Sequence, residues 1–71
     1  MKERLIKLWE REEKHLRHIK NLEDKKAVFH QCFGALLLAV DLDRSLEYEL
    51  AKLWMEEWKG RLEKQIYGIE D

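Results

Sequence analysis

Apolar residues recur along the first forty residues with the period of an α-helix. When Leu5 is taken as position a of a heptad, eight of the eleven a and d positions up to Val40 are apolar. Position e adds three more apolar residues, which widen the stripe to the face that a bundle helix buries; they are Trp9, Leu16 and Leu37. The pattern predicts an all-α fold whose first helix runs from about residue 2 to 40.

The polar segment around Asn21 leaves a second topology open. Asn21 is a good N-cap residue and the acidic Asp24 follows three positions later, which is typical of a helix start. The apolar stripe nevertheless keeps its phase through this segment. A helix ending at Lys20 and another beginning at Leu22 would leave no residues for the turn that antiparallel helices need. We therefore expect one long helix, and the alternative is a three-helix bundle with a break near residues 20–24.

A second helix is expected after a turn at residues 41–44, where Asp and Ser residues favour a helix start. Apolar residues then recur at every fourth position from Leu42 to Ile66, and Gly68 indicates the helix end. The chain is thus predicted to form a single helical domain over residues 1–71. Its fold would be a helical hairpin with helices at about residues 2–40 and 44–67.

Residues 29–40 differ from the rest because apolar side chains would cover nearly every side of a helix there. A helix that is apolar all round is buried all round, and one hairpin partner covers only one side. A chain of 71 residues also builds only a marginal core by itself. We therefore expect the hairpin to dimerise into a helical bundle. With the tryptophans that interfaces favour, the predicted oligomer interface comprises Phe29, Phe33, Leu36, Leu37, Leu38, Val40, Trp54 and Trp58.

Composition narrows the classes of protein that fit. An apolar content of 45% with a net charge of −1 argues against disorder. The longest uncharged run, from Ala27 to Val40, is shorter than the roughly 20 residues that cross a bilayer. Residues 1–10 carry charges throughout, unlike a signal peptide. Cys32 is the single cysteine, which fits a reducing compartment, so we expect a cytoplasmic protein without a membrane partner.

Glu12 and His15 interrupt the apolar stripe with a spacing that brings both onto one helix face. Carboxylate–histidine metal sites in helical bundles use the same Glu-x-x-His spacing, and a dimer would hold two such pairs. The pattern is common in charged helices, however. We therefore favour solvated or ion-paired side chains, expect no cofactor, and keep metal binding as an alternative.

Basic residues follow one flank of the predicted first helix. A basic stripe on a helical dimer can track the phosphates of RNA or DNA. Interleaved glutamates and the slightly negative overall charge favour pairing with the acidic second helix instead. Nucleic-acid binding is thus the weaker alternative, and its candidate residues are Arg4, Lys7, Arg11, Lys14, His18 and Lys25.

The sequence contains no serine-nucleophile motif, no glycine-rich phosphate loop and no cysteine cluster for zinc. It therefore favours a non-enzymatic protein–protein interaction module, such as a small regulator, adaptor or assembly subunit. The expected partners are first a second copy of the chain and then another protein.

Overall fold

The computed structural model describes residues 2–68, which form three helices and no strand. Helix α1 spans Lys2–Leu16 and helix α2 spans Leu22–Leu42. Helix α3, residues 44–67, is continuous but changes its winding along its length. It consists of a 3-10 turn at Arg44–Leu46, an α-helical part at Glu47–Leu53, a π-helical part at Trp54–Trp58 and an α-helical part at Lys59–Tyr67.

The all-α prediction is confirmed, and the observed topology is the three-helix alternative. The prediction of one helix from about residue 2 to 40 is wrong, because residues 17–21 leave the helix and form a loop. After Leu16, the amides of residues 17–19 bond to carbonyls three residues back, at 3.2, 3.0 and 3.3 Å. This tighter winding ends α1 four residues before Lys20, which gives the antiparallel turn the residues it needs.

Asn21 is the N-cap that starts α2. Its side-chain oxygen accepts hydrogen bonds from the amides of Glu23, at 2.8 Å, and Asp24, at 3.4 Å. Both acidic residues lie in the first turn of α2, where the helix dipole favours negative charge. The predicted start of the next helix near residue 44 is confirmed, since the carboxylate of Asp43 accepts a hydrogen bond from the amide of Ser45 at 3.1 Å. The predicted turn at residues 41–44 is wrong in length, because α2 continues to Leu42 and only Asp43 separates it from α3.

The break also rotates the core face of α2 by about one residue from the heptad assignment. That assignment placed Phe29, Phe33 and Val40 inside, but Phe33 is 40% exposed and the other two are only half-buried. The residues of α2 that the structure buries lie one position earlier, apart from Leu36, which both patterns share; they are Val28, Cys32, Leu36 and Ala39.

Trp9 lies at the centre of the core and joins all three helices. Its side chain is fully buried, and its indole Nε1–H donates a hydrogen bond to the carbonyl of Cys32 in α2 at 3.1 Å. Its ring centroid lies 5.3 Å from that of Trp54 and 5.8 Å from that of Trp58, both in α3. Large tilted aromatic rings therefore fill the space between the helices.

The π-helical part explains how α3 keeps a single face buried. In a regular α-helix, residues four apart drift by about 40° per step, so a long row of them would leave the core. In α3 the amide of Lys59 bonds to the carbonyl of Trp54, five residues back. The extra residue in this turn rotates the following residues back toward the core. The buried row is Leu50, Trp54, Trp58, Leu62 and Ile66.

None of the helices in residues 2–68 has both the length and the apolar character that crossing a membrane requires.

Candidate interaction surface

The side of α2 that faces away from the core is here called the outer face. It lies within a stretch of fourteen consecutive residues without a charged side chain. From residue 27 to residue 40 the sequence contains no Asp, Glu, Lys or Arg. Leu37 is 55% exposed and Leu38 is 60% exposed, although both are large and apolar. The exposed residues of the outer face are Ala27, His30, Gln31, Phe33, Gly34, Leu37 and Leu38.

Apolar side chains lie along both edges of this face. On the α3 side, the ring of Phe33 packs with its centroid 5.7 Å from that of Trp54. On the α1 side, Leu38 and Leu42 line a shallow apolar groove together with Leu8. Gly34 lies between these two edges. A Cβ built there would have no atom within 4 Å other than those of its chain neighbours and its own helix backbone. The outer face therefore has apolar side chains along both edges and a glycine without a side chain between them.

The structure separates the predicted interface residues into three groups. Phe33, Leu37 and Leu38 lie on the outer face and are exposed. Phe29 and Val40 are half-buried at its edges. The remaining three belong to the core of the chain itself and present almost no surface to a partner; they are Leu36, Trp54 and Trp58.

Gly34 and Leu42 were missed as interface candidates by the sequence reasoning. Leu42 is 65% exposed at the end of α2, whereas the four-residue apolar row had placed it at the start of the second helix.

A buried ion pair that the sequence did not reveal joins α1 to α3. Glu13 is only 7% exposed. Arg61 donates two hydrogen bonds to its carboxylate, from Nε at 2.9 Å and from Nη2 at 2.7 Å. The guanidinium carbon also lies 4.2 Å above the ring of Trp58. The hydrogen bond to Glu13 raises the pKa of Arg61, so the guanidinium stays charged, and the pair links α1 to α3.

The metal candidates Glu12 and His15 form only a local pair. The Oε2 atom of Glu12 lies 3.5 Å from Nδ1 of His15, which is exposed. Glu12 also lies 3.5 Å from Nε of Arg11. In the part of the chain that the structure describes, no group of three or more His, Cys, Asp or Glu side chains is arranged to hold a metal ion.

The six basic candidates do not form one continuous flank. Arg4, Lys7, Arg11 and Lys14 are all exposed on α1 and recur at spacings of three and four residues, which keeps them on one side of the helix. His18 lies in the following turn. Beyond the break, Lys25 is half-buried, and its Nζ lies 3.5 Å from the carbonyl of Gln65 in α3.

The thiol of Cys32 is fully buried in the core. Burial, reinforced by the negative charge of Glu12, raises the pKa of Cys32 from 9.0 to about 12. A thiol with such a high pKa stays protonated at neutral pH and is a poor nucleophile. Cys32 therefore acts as a small packing residue.

No significant match to the chain was found among protein-family models, curated proteins or solved structures. Its function must therefore be inferred from the chain's own surfaces. Among these, the outer face of α2 combines three large exposed apolar side chains, those of Phe33, Leu37 and Leu38, with fourteen residues that carry no Asp, Glu, Lys or Arg, so it is the candidate functional site.

Proposed function

We propose that the protein is a non-enzymatic interaction module that works as a homo-oligomer and docks through the outer face of α2. The observation that supports this most directly is the exposure of Leu37 and Leu38, each more than half accessible, within fourteen residues that carry no charge. The largest exposed apolar patch of a soluble protein is often a surface that binds another molecule.

A second copy of the chain is the simplest partner for this face. A standard interface buries about 800 Å² on each side, which is about 15% of the 5329 Å² surface of this chain. The uncharged stretch is about 20 Å long at 1.5 Å per residue, and the apolar edges next to α1 and α3 widen it. A symmetric pair hides the same patch on both chains at once.

The buried polar groups support a structural role instead of a catalytic one. Glu13 is held by Arg61, and the indole of Trp9 is held by a backbone carbonyl. The thiol of Cys32 is protonated and enclosed. These groups are occupied in packing the helices, which fits a regulator, adaptor or assembly subunit. The free thiol fits the reducing conditions of the cytoplasm, where we place the protein.

Sedimentation equilibrium tests the proposal. We expect the wild-type chain to be a folded oligomer at tens of micromolar, and the double variant Leu37→Glu/Leu38→Glu to be a folded monomer. Both leucines are exposed within the chain, so glutamate there should not disturb the core. Tyr48→Glu is the matched control, because Tyr48 is an exposed apolar side chain in α3 and its replacement should leave the oligomer intact.

Circular dichroism on the same samples separates dissociation from unfolding. A wild-type chain that is monomeric and folded at tens of micromolar would overturn the proposal. An oligomer that withstands the double substitution would show that another surface carries the contact, and would overturn the assignment to the outer face.

A further inference from the structure

Opposite charges bound the outer face at its two ends. Lys26 lies just before the uncharged stretch and Asp41 lies just after it. Counted along the helix from Gly34, these residues are eight positions before and seven positions after, or about 12 and about 10 Å. Among residues 2–68, neither Lys26 nor Asp41 takes part in an ion pair. The two charges are nearly equidistant from Gly34. Asp41 is exposed, whereas Lys26 is half-buried at the edge of the outer face, in a cleft that Glu63 and Tyr67 of α3 also line.

This arrangement is complementary to itself when a second copy runs in the opposite direction. A two-fold axis beside Gly34 places Lys26 of one chain within about 2 Å, along the helix axis, of the partner's Asp41. The same contact forms twice, once at each end. A parallel pair would instead bring lysine beside lysine and aspartate beside aspartate, which is repulsive.

The positions around the helix agree with this pairing. At 100° per residue, Lys26 lies on the same flank of the outer face as Phe33 and Leu37, and Asp41 lies close to its midline. An antiparallel two-fold axis brings equivalent flanks of the two helices together. The aromatic and leucine side chains on this flank would therefore pack against their own copies, with the ion pairs beyond them at both ends.

Gly34 lies at the centre of this charge pattern. Its backbone is exposed within the chain, and a Cβ there would contact nothing, so the chain's own packing does not require glycine. Glycine inside a helix is unfavourable compared with alanine. At a helix crossing, however, the missing side chain allows the two backbones to approach more closely than larger residues would.

We infer that two copies of the chain pack α2 against α2 in an antiparallel, two-fold symmetric pair that crosses at Gly34, with Lys26 of each chain paired with the partner's Asp41. The inference rests on the proposed self-association and specifies its geometry. Glu23 and Asp24 lie farther from Gly34 than Lys26 does, in the first turn of α2, and therefore fall at the rim of the contact.

A charge-reversal cycle tests the direction of packing. We expect Lys26→Glu and Asp41→Lys each to weaken dimerisation by about tenfold, because each turns two attractive rim contacts into repulsive ones. The double variant should recover most of the wild-type affinity. Each reversal places a charge that the helix dipole favours at its end of α2, so folding should not suffer. Lys20→Glu, in the loop before α2, is the control.

A glycine pair tests the crossing point. Gly34 and Gly60 are both exposed helical glycines with open space around an added Cβ. We expect Gly34→Leu to weaken dimerisation by about tenfold or more and Gly60→Leu to leave it unchanged, by sedimentation equilibrium.

The outcomes separate this inference from the proposed function. A wild-type chain that never self-associates removes both. A dimer that is lost in Leu37→Glu/Leu38→Glu, yet is insensitive to the single charge reversals and to Gly34→Leu, keeps the proposed function and overturns the antiparallel crossing. Single reversals that weaken the dimer without recovery in the double variant also overturn it.

Discussion

Replacing Arg61 with leucine should destabilise the protein far more than the loss of a surface ion pair would. Glu13 is 7% exposed, and Arg61 donates both of the hydrogen bonds that its carboxylate receives from α3. Without Arg61, the carboxylate would lose both of these hydrogen bonds and would lie in a largely buried site without a partner. The loss of unfolding free energy would therefore come mainly from leaving a buried carboxylate without a partner, and less from the lost attraction.

The expected magnitude follows from the geometry. Breaking a fully buried pair by removing one partner costs about 3–5 kcal/mol. The side chain of Arg61 is 45% exposed, so water reaches the open side of the pair and lowers that cost to about 2 kcal/mol. For a domain of this size, a loss of about 2 kcal/mol lowers the melting temperature by about 8–16 °C. Arg17→Leu, at an exposed loop position, should change stability by less than about 0.5 kcal/mol.

The double variant Glu13→Leu/Arg61→Leu distinguishes the cost of an unpaired buried carboxylate from the cost of losing the attraction between the two side chains. Removing both charges leaves nothing unpaired, so most of the stability should return. Recovery should be incomplete by about 0.5–1 kcal/mol, because the double variant still lacks the guanidinium that lies 4.2 Å above Trp58.

Urea unfolding followed by tryptophan fluorescence measures both effects, at one fixed protein concentration because self-association would shift the midpoint. If Arg61→Leu costs less than about 0.5 kcal/mol, or if the double variant is no more stable than Arg61→Leu, the reasoning about Glu13 is refuted.

Three further outcomes are expected. Asn21→Ala should lower stability by about 1 kcal/mol in thermal unfolding, because α2 loses its N-cap; an unchanged melting temperature would contradict the cap. Thiol reagents should modify Cys32 at neutral pH only as fast as the chain opens. Because the pKa of Cys32 is raised from 9.0 to about 12 in the folded chain, its contribution to stability is present below pH 9 and lost between about pH 9 and 12, a loss that should be smaller in Cys32→Ala. Generic RNA should show no salt-dependent anisotropy change with the protein, because Glu3 and Glu10 lie among the basic residues of α1; binding that is lost in Lys7→Glu/Arg11→Glu would revive the nucleic-acid alternative.

The sequence was informative wherever a local signal had no competitor. Asp43 and Gly68 were recognisable as helix boundaries, and the structure shows Asp43 capping α3 and Gly68 ending it in the left-handed conformation with φ of 62°. The row from Leu42 to Ile66 was recognisable from its four-residue spacing, and its members from Leu50 onward are all buried. Its first two members do not fit, because Leu42 is 65% exposed at the end of α2 and Leu46 is half-buried. The π-helical part that keeps this row buried was not predictable from the spacing, because it depends on how α3 packs against the other helices.

The break after Leu16 was harder to predict because two signals disagreed. Asn21 correctly indicated a helix start, whereas the apolar heptad continued through it and indicated a single helix. The end of α1 carries no glycine or proline, and residues 17 and 18 are an ordinary Arg and His. Five loop residues happened to preserve the apolar period, so the period alone could not reveal that the two sides belonged to different helices.

The ion pair between Glu13 and Arg61 was not predictable from the sequence. The two residues are 48 positions apart, and each has the sequence pattern of an exposed, charged side chain. Glu13 lies four residues after Trp9 on the true core stripe of α1, which runs through Leu5, Trp9 and Leu16. Recognising it required the crossing of α1 and α3, which no local pattern specifies.

The size of the apolar residues in α2 explains why its two faces could not be told apart from the sequence. Trp9, Trp54 and Trp58 occupy the volume between the helices, and close packing leaves room only for smaller residues opposite such rings. The inner face of α2 accordingly carries Val28, Cys32 and Ala39 beside a single leucine, Leu36, whereas Phe33, Leu37 and Leu38 lie outside. Those larger side chains add little to the chain's own core. Exposing them to water is unfavourable unless another surface covers them, and this is the physical reason to look for a second chain on the outer face.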